Sequence, residues 1–224
     1  MTSYLPHITL DTGRAPQHSI IWLHGLGADG GDFVPIAEEM QLPVPLRYIF
    51  PHAPEQAVTI NGGYVMRSWY DIVSNDIGAQ QDAAGVRASQ NEIEKLIAQE
   101  VSRGIPAANI FLAGFSQGGA VVLHTGLRHA QQLGGILALS TYLPLAETLA
   151  KEASDAAKNI PIFLAHGRND PIVPYSLGKA SDNILVQQGY QTEWHEYAMP
   201  HSVCAEEVRD IEHWLSDKLN NSFN

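Results

Sequence analysis

Ile110-Phe-Leu-Ala-Gly114-Phe-Ser116-Gln-Gly118-Gly-Ala-Val-Val-Leu123 is a continuously apolar run, then a Gly-x-Ser-x-Gly turn, then a stretch of helical character. That succession of strand, sharp turn and helix is the context in which a serine becomes a nucleophile. Its hydroxyl must stand clear of the sheet on a strained turn, and Gly114 and Gly118 leave room where side chains would clash. The helix that follows points its first N–H groups towards negative charge developing beside the serine. A chance Gly-x-Ser-x-Gly in a loop would lack these flanks.

Working outward, further β-rich runs lie at Ser19–His24, Leu46–Phe50, Gly135–Ser140 and Ile160–His166. All are continuously apolar, as strands covered on both faces are. Between them the spacing predicts helices over Asp82–Arg103 (Val86, Ile93, Leu96, Ile97 and Val101 inward), after Ser116, over Tyr175–Gln188 and over Ala205–Leu219. Tyr190–Tyr197 reads as a last, edge-like strand. The alternation predicts an α/β fold, a mostly parallel sheet with helices on both faces, in a single domain over residues 1–224. Residues 57–80 fit neither helix nor sheet well. They mix Trp69, Ile72 and Ile77 with Gly62-Gly63 and Asn75, and read either as a lid or as a short hairpin packed on the core. The tail from Asn220 to Asn224 reads as frayed.

Composition narrows the function. The 224 residues are 45% apolar and carry 13 Lys+Arg against 24 Asp+Glu, a net charge of −11. Without a basic cluster there is nothing to grip a phosphate backbone, which excludes a nucleic-acid partner. The lone cysteine, Cys204, forms no internal disulfide, and Met1-Thr-Ser-Tyr-Leu-Pro-His7 lacks the form of a secretory signal, so a cytoplasmic protein is expected. No apolar run reaches the length of a membrane span.

An attacking serine needs a base, and the base an orienting carboxylate, in the chain order Ser, acid, His. His195 falls inside the last strand and His213 within a helix, whereas His201 lies in the strand-to-helix loop Ala198-Met-Pro-His-Ser202 and is the expected base. Asp155 and Asp182 fall in helical stretches and read as surface charges. Asp170, in the turn after the Ile160–His166 strand, is the expected acid. The oxyanion donors are expected to be the backbone N–H of Gln117 and, from the loop His24–Gly31, of Leu26. Gly25-Leu-Gly27-Ala-Asp-Gly30 is also a G-x-G-x-x-G, but the acidic residue that would hold a ribose is missing from the end of the following strand. No His-Glu-x-x-His or comparable metal spacing appears. Neither metal nor organic cofactor is implied.

On these residues the chain resembles the acyl-protein thioesterase and carboxylesterase (phospholipase/carboxylesterase) family of α/β-hydrolases, bacterial carboxylesterases above all. The resemblance runs through His24-Gly-Leu-Gly-Ala-Asp-Gly30, Phe50-Pro-His-Ala-Pro54, Ser68-Trp-Tyr-Asp71, Gly114-Phe-Ser-Gln-Gly-Gly119, Ser140-Thr-Tyr-Leu-Pro144, His166-Gly-Arg-Asn-Asp-Pro-Ile-Val-Pro174 and His201-Ser202. It implies hydrolysis of acyl esters or thioesters through Ser116, His201 and Asp170. It also implies that Tyr142-Leu143 and the 57–80 loop, with Trp69 and Ile72, border an acyl groove. Small acyl esters or acylated proteins are the implied partners, and a homodimer is a common arrangement in such relatives. The apolar loop would allow at most transient contact with a membrane, and the missing N-terminal cysteine argues against a lipid anchor. Pro200 stands where relatives often have glycine and restricts Met199. The competing reading is a non-catalytic protein that carries an acyl ligand in the same groove.

Overall fold

The computed structural model describes residues 4–74 and 80–221. The part of the 57–80 segment that includes Asn75 and Ile77, and the tail beyond 221, lie outside the described residues. Among the described residues, nine strands and six α-helices follow one another as β1 (His7–Asp11), β2 (His18–Leu23), α1 (Val34–Glu39), β3 (Leu46–Pro51), β4 (Glu55–Val58), β5 (Tyr64–Arg67), α2 (Ala83–Ser102), β6 (Ile110–Phe115), α3 (Gln117–Gly126), β7 (Gly135–Leu139), α4 (Leu149–Glu152), β8 (Ile162–Gly167), α5 (Tyr175–Gln187), β9 (Thr192–Tyr197) and α6 (Ala205–Asn221).

Seven strands form one sheet in the order β1-β3-β2-β6-β7-β8-β9. It is parallel throughout except for β1, which runs antiparallel to β3 at one edge. Alternation along β2 divides the core. Ile21 and Leu23 face α2, α3 and α5, while Ile20 and Trp22 face α1 and α6. Both faces are covered, which is why the central strands contain almost nothing polar.

Three readings of the sequence are corrected. Val101 is 39% exposed and Glu100 takes the inward position, its carboxylate accepting from the Ser19 hydroxyl at 2.7 Å. Asp182 is buried rather than a surface charge, because the edge strand β9 brings the Thr192 hydroxyl onto its carboxylate at 2.5 Å while Lys179 pairs with it at 2.7 Å. Asp155 does lie at the surface, in a short 3₁₀ turn rather than an α-helix. Of the two alternatives for residues 57–80, the described part begins as the hairpin: β4 pairs with β5 from Glu55↔Arg67 to Val58↔Tyr64, and Gly62 and Gly63 at its tip have φ of 67° and 81°. Beyond it the chain is tied to the helix layer. Asp71 accepts from the Thr59 N–H at 2.8 Å, and Asp82, which caps α2, accepts from the Asp71 N–H at 2.9 Å.

Candidate active site

The site is assembled at the carboxyl ends of adjacent parallel strands. β2 and β6 are neighbours, with Leu23 paired to Gly114, so the loop after β2 emerges beside Ser116. Ser116 sits at φ 54° and ψ −120°, a conformation that costs about 1 to 3 kcal/mol and persists only where its surroundings dictate it. Its N–H donates to the Leu139 carbonyl of β7 at 2.8 Å, and its carbonyl accepts from the Thr141 hydroxyl at 2.6 Å. A Cβ on Gly118 would lie 2.5 Å from the His24 carbonyl oxygen, so only glycine lets α3 approach β2 this closely. The Gln117 N–H, at the first position of α3, has no partner within the helix by geometry alone.

Asp170 and His201 are brought together by two stitched loops. The Arg168 N–H donates to the Tyr197 carbonyl and the Asn169 N–H to the Met199 carbonyl, which sets the loop after β8 against the loop after β9. The Asp170 side chain is wholly buried. Its Oδ2 lies 2.7 Å from His201 Nδ1, and its Oδ1 accepts from the Ile172 and Val173 N–H groups at 2.8 and 2.9 Å. His166 stands behind it, Nε2 to Asp170 Oδ2 at 3.5 Å, and burial holds its imidazole below the ordinary histidine range. The His201 ring packs on Phe115, centroid to centroid 4.7 Å, which places it against the residue just before Ser116. His195, the rejected base, lies in β9 and stacks on Phe163 of β8, and His213 is exposed on α6.

The loop carrying Leu26 is fixed by residues to which sequence reasoning gave no role. His24 Nε2 accepts from the Ala53 N–H at 3.1 Å, so its proton is on Nδ1 and donates to the Gly25 carbonyl at 2.7 Å. Burial pushes this imidazole down to about 4, which keeps it neutral. The Gly27 N–H donates to the Arg67 carbonyl of β5, and Gly27 itself has φ 77°. The second glycine-motif feature, Gly30, is explained by packing: a Cβ there would meet the Phe50 carbonyl oxygen at 2.4 Å.

Trp69 and Tyr142, expected to border an acyl groove, are both largely buried and pack into the core. Trp69 is 2% exposed and its indole N–H donates to the His24 carbonyl at 2.9 Å. Tyr142 is 5% exposed, its hydroxyl 2.8 Å from that of Tyr70. Leu143 is also buried, its N–H donating to the Ser181 hydroxyl, which leaves half-buried Ile72 as the member of the set with surface to offer. The Gln117 side chain clamps this segment. It accepts from the Trp69 N–H at 2.8 Å and donates to the Tyr70 carbonyl at 2.6 Å. No sequence signal separates this Gln side chain from a solvated one, since its partners are 47 and 48 residues away. Among the described residues no three His, Cys, Asp or Glu side chains converge to hold a metal ion.

A mostly parallel sheet with a strained serine between β6 and α3, and an Asp–His pair on the loops after β8 and β9, defines an α/β-hydrolase. The sequence matches the phospholipase/carboxylesterase family over residues 8–219, and the chain belongs to that family, whose members hydrolyse carboxylic esters and thioesters. It is 36% identical to acyl-protein thioesterase 1 of Cryptococcus neoformans, over 98% of this chain and all of that one. With acyl-protein thioesterase 1 of Neurospora crassa it shares 39% over 90% of this chain and 86% of the relative. Among solved structures it superposes on Zea mays acyl-protein thioesterase 2 with a TM-score of 0.84 at 29% identity, covering 96% of this chain and all of that one. Arabidopsis thaliana SOBER1 superposes with a TM-score of 0.85 at 32% identity, covering 90% and 99%. No helix among the described residues is long and apolar enough to cross a membrane.

Proposed function

We propose that this hydrolase works through Ser116, His201 and Asp170 and passes through an acyl-enzyme intermediate. The observation that carries the reading is the 2.7 Å contact between His201 Nδ1 and a buried Asp170 carboxylate, on a ring packed against the strained serine turn. With Nδ1 held by Asp170, Nε2 is the nitrogen available to take the Ser116 proton as Oγ attacks the acyl carbonyl. Negative charge then forms on the carbonyl oxygen, where the Leu26 and Gln117 N–H groups stabilise it. Loss of one such donor costs about 3 to 4 kcal/mol of transition-state stabilisation. The protonated His201 gives its proton to the departing alkoxide or thiolate. A water molecule activated by the same nitrogen then attacks the acyl-serine, returning the acid product and a free hydroxyl.

The substrate class is an acyl ester or thioester, with acylated proteins among its members in keeping with the names of the related thioesterases. The cytoplasm is the proposed setting, in keeping with a single unpaired cysteine. Hydrolysis of nitrophenyl esters of increasing acyl length, with Ser116→Ala in parallel, tests the reading. We expect turnover that Ser116→Ala lowers by roughly four to six orders of magnitude while the circular dichroism spectrum is unchanged. Turnover that survives in Ser116→Ala would overturn the assignment.

A further inference from the structure

The Leu26 and Gln117 N–H groups belong to different elements, the loop after β2 and the first residue of α3. Both elements are bonded to the same strap, residues 67–70, which leads out of β5. On the loop, the bonds fall on either side of Leu26. The Trp69 indole N–H donates to the His24 carbonyl at 2.9 Å, and the Arg67 carbonyl accepts from the Gly27 N–H at 2.9 Å. The Ala28 N–H is taken by the Gly25 carbonyl, while the Leu26 N–H donates to no group among the described residues.

On α3 it is the side chain of Gln117 that reaches the strap. Its Oε1 accepts from the Trp69 backbone N–H at 2.8 Å, and its Nε2 donates to the Tyr70 carbonyl at 2.6 Å and to the Ser68 hydroxyl at 3.0 Å. The Ser68 hydroxyl donates in turn to the Tyr70 carbonyl at 2.6 Å. The strap has its own footing in the rest of the molecule. The Ser68 N–H donates to the Pro54 carbonyl at 2.9 Å, Arg67 Nη1 to the Ala53 carbonyl at 2.9 Å, and the Ser89 hydroxyl of α2 to the Trp69 carbonyl. Ser68, Trp69 and Gln117 are all buried, so a bond lost here is not replaced by water.

Trp69 is the residue common to both attachments: its backbone N–H meets the Gln117 side chain and its indole N–H meets the loop. We infer that Trp69 is a positioning residue that sets the spacing of the two oxyanion donors, rather than a wall of the acyl site. The inference rests on the Leu26 and Gln117 N–H groups being those donors. Such a pair stabilises an oxyanion only when each nitrogen stands about 2.7 to 3.1 Å from the place where the charge forms. A displacement of about 1 Å costs on the order of a hundredfold in rate. Trp69 touches no reacting atom in this arrangement and acts through the His24 carbonyl and the Gln117 side chain.

The test compares the wild type with Trp69→Phe, which keeps an aromatic ring and the backbone N–H but loses the indole N–H. It reads kcat and KM on nitrophenyl acetate, butyrate and octanoate, and the Ki of a trifluoromethyl ketone matched to the butyrate ester. Attack of Ser116 Oγ on the ketone carbon passes the hydroxyl proton to His201 and leaves the carbonyl oxygen as an oxyanion, so Ki reports on the donors in a bound state. Acylation and deacylation each form an oxyanion, so kcat falls whichever is slower. We expect kcat to fall by about ten- to a hundredfold, by the same factor for all the esters, with KM within about twofold and the ketone weakened by a comparable factor. A wild-type kcat would overturn the inference. So would a loss that appears in KM or grows with acyl length, because that is how a wall contact behaves. Should Trp69→Phe fail to fold, benzothienylalanine in place of Trp69, which exchanges only the indole N–H for sulfur, decides by the same readings. Turnover or tight ketone binding in Ser116→Ala would instead sink the serine mechanism itself, so the two failures are distinguishable.

Discussion

His24 is neutral because burial penalises its charged form, and its two nitrogens are paired in a way that only one tautomer satisfies. Replacing it with phenylalanine would keep the ring's volume and its contact with Trp69, centroid to centroid 5.3 Å, but would leave the Ala53 N–H unpaired and the Gly25 carbonyl with the Ala28 N–H at 3.3 Å in place of two donors. Each unpaired buried group costs about 1 to 3 kcal/mol, and that strain falls on the loop that presents Leu26. For His24→Phe we expect kcat to fall by about a hundredfold, close to the loss of one oxyanion donor, with KM changed little. A kcat within a factor of about two of wild type would show that the loop holds its shape without the imidazole. Chain order and loop placement single out the proposed Ser116, Asp170 and His201, and the fold sets Asp170 Oδ2 2.7 Å from His201 Nδ1. His24 could not be given this role, because its partner at Ala53 comes from the far end of β3, 29 residues on, and only folding brings the two together. Trp69 shows the same limit, since its indole N–H holds the His24 carbonyl across 45 residues of chain.

At the level of elements, what was legible followed burial on both faces. β2, β3, β6, β7 and β8 are mostly apolar and could be read directly, as could α2 from its 3.6-residue stripe. β1 escaped because none of its five residues at the sheet edge is fully buried, and the β4–β5 hairpin could be read only as one of two alternatives because its pairing closes over a tip with no apolar pattern. The junction of β6 with α3 carries the sharpest prediction. The Cβ of Gly118→Ala would stand 2.5 Å from the His24 carbonyl oxygen and 2.6 Å from that of Leu23, and both are backbone atoms of β2 and its loop that cannot swing aside. We expect a loss of about 3 kcal/mol or more, read from the urea midpoint. Gly189→Ala is the contrast, since its φ of 90° is strained for alanine but nothing lies within 4 Å, and a loss of about 1 to 2 kcal/mol is expected. Equal losses at the two positions would mean that β2 and α3 can part without penalty.

Across the whole molecule, buried titratable groups set opposite limits on stability. His18, His24, His124 and His166 are all buried, and desolvation lowers each below the ordinary histidine value, His24 to about 4 and His124 to about 3. A histidine whose folded pKa is depressed binds fewer protons folded than unfolded. Its contribution is intact above about 6.5 and is lost as pH falls towards the folded value. Glu207 runs the other way. Its folded pKa of about 8 exceeds the usual 4.5, so the folded state holds the extra proton and stability declines as pH rises between those values. The melting temperature should therefore form a dome between about pH 4 and about pH 8, set by these interior groups rather than by a surface whose net charge is −11. His124 is the group to remove, since it is 0% exposed in the last turn of α3, and Arg128 and Arg87 disfavour its charge further. His124→Leu should flatten the acid side of the dome by up to about 3 kcal/mol at pH 4, and Glu207→Gln should flatten the alkaline side alone. Thermal melts of the three proteins across that range check both limbs. An acid limb of His124→Leu parallel to the wild type would assign acid unfolding to the carboxylates instead, while an unchanged alkaline limb in Glu207→Gln would mean that the α6 carboxyl is ionised in the fold.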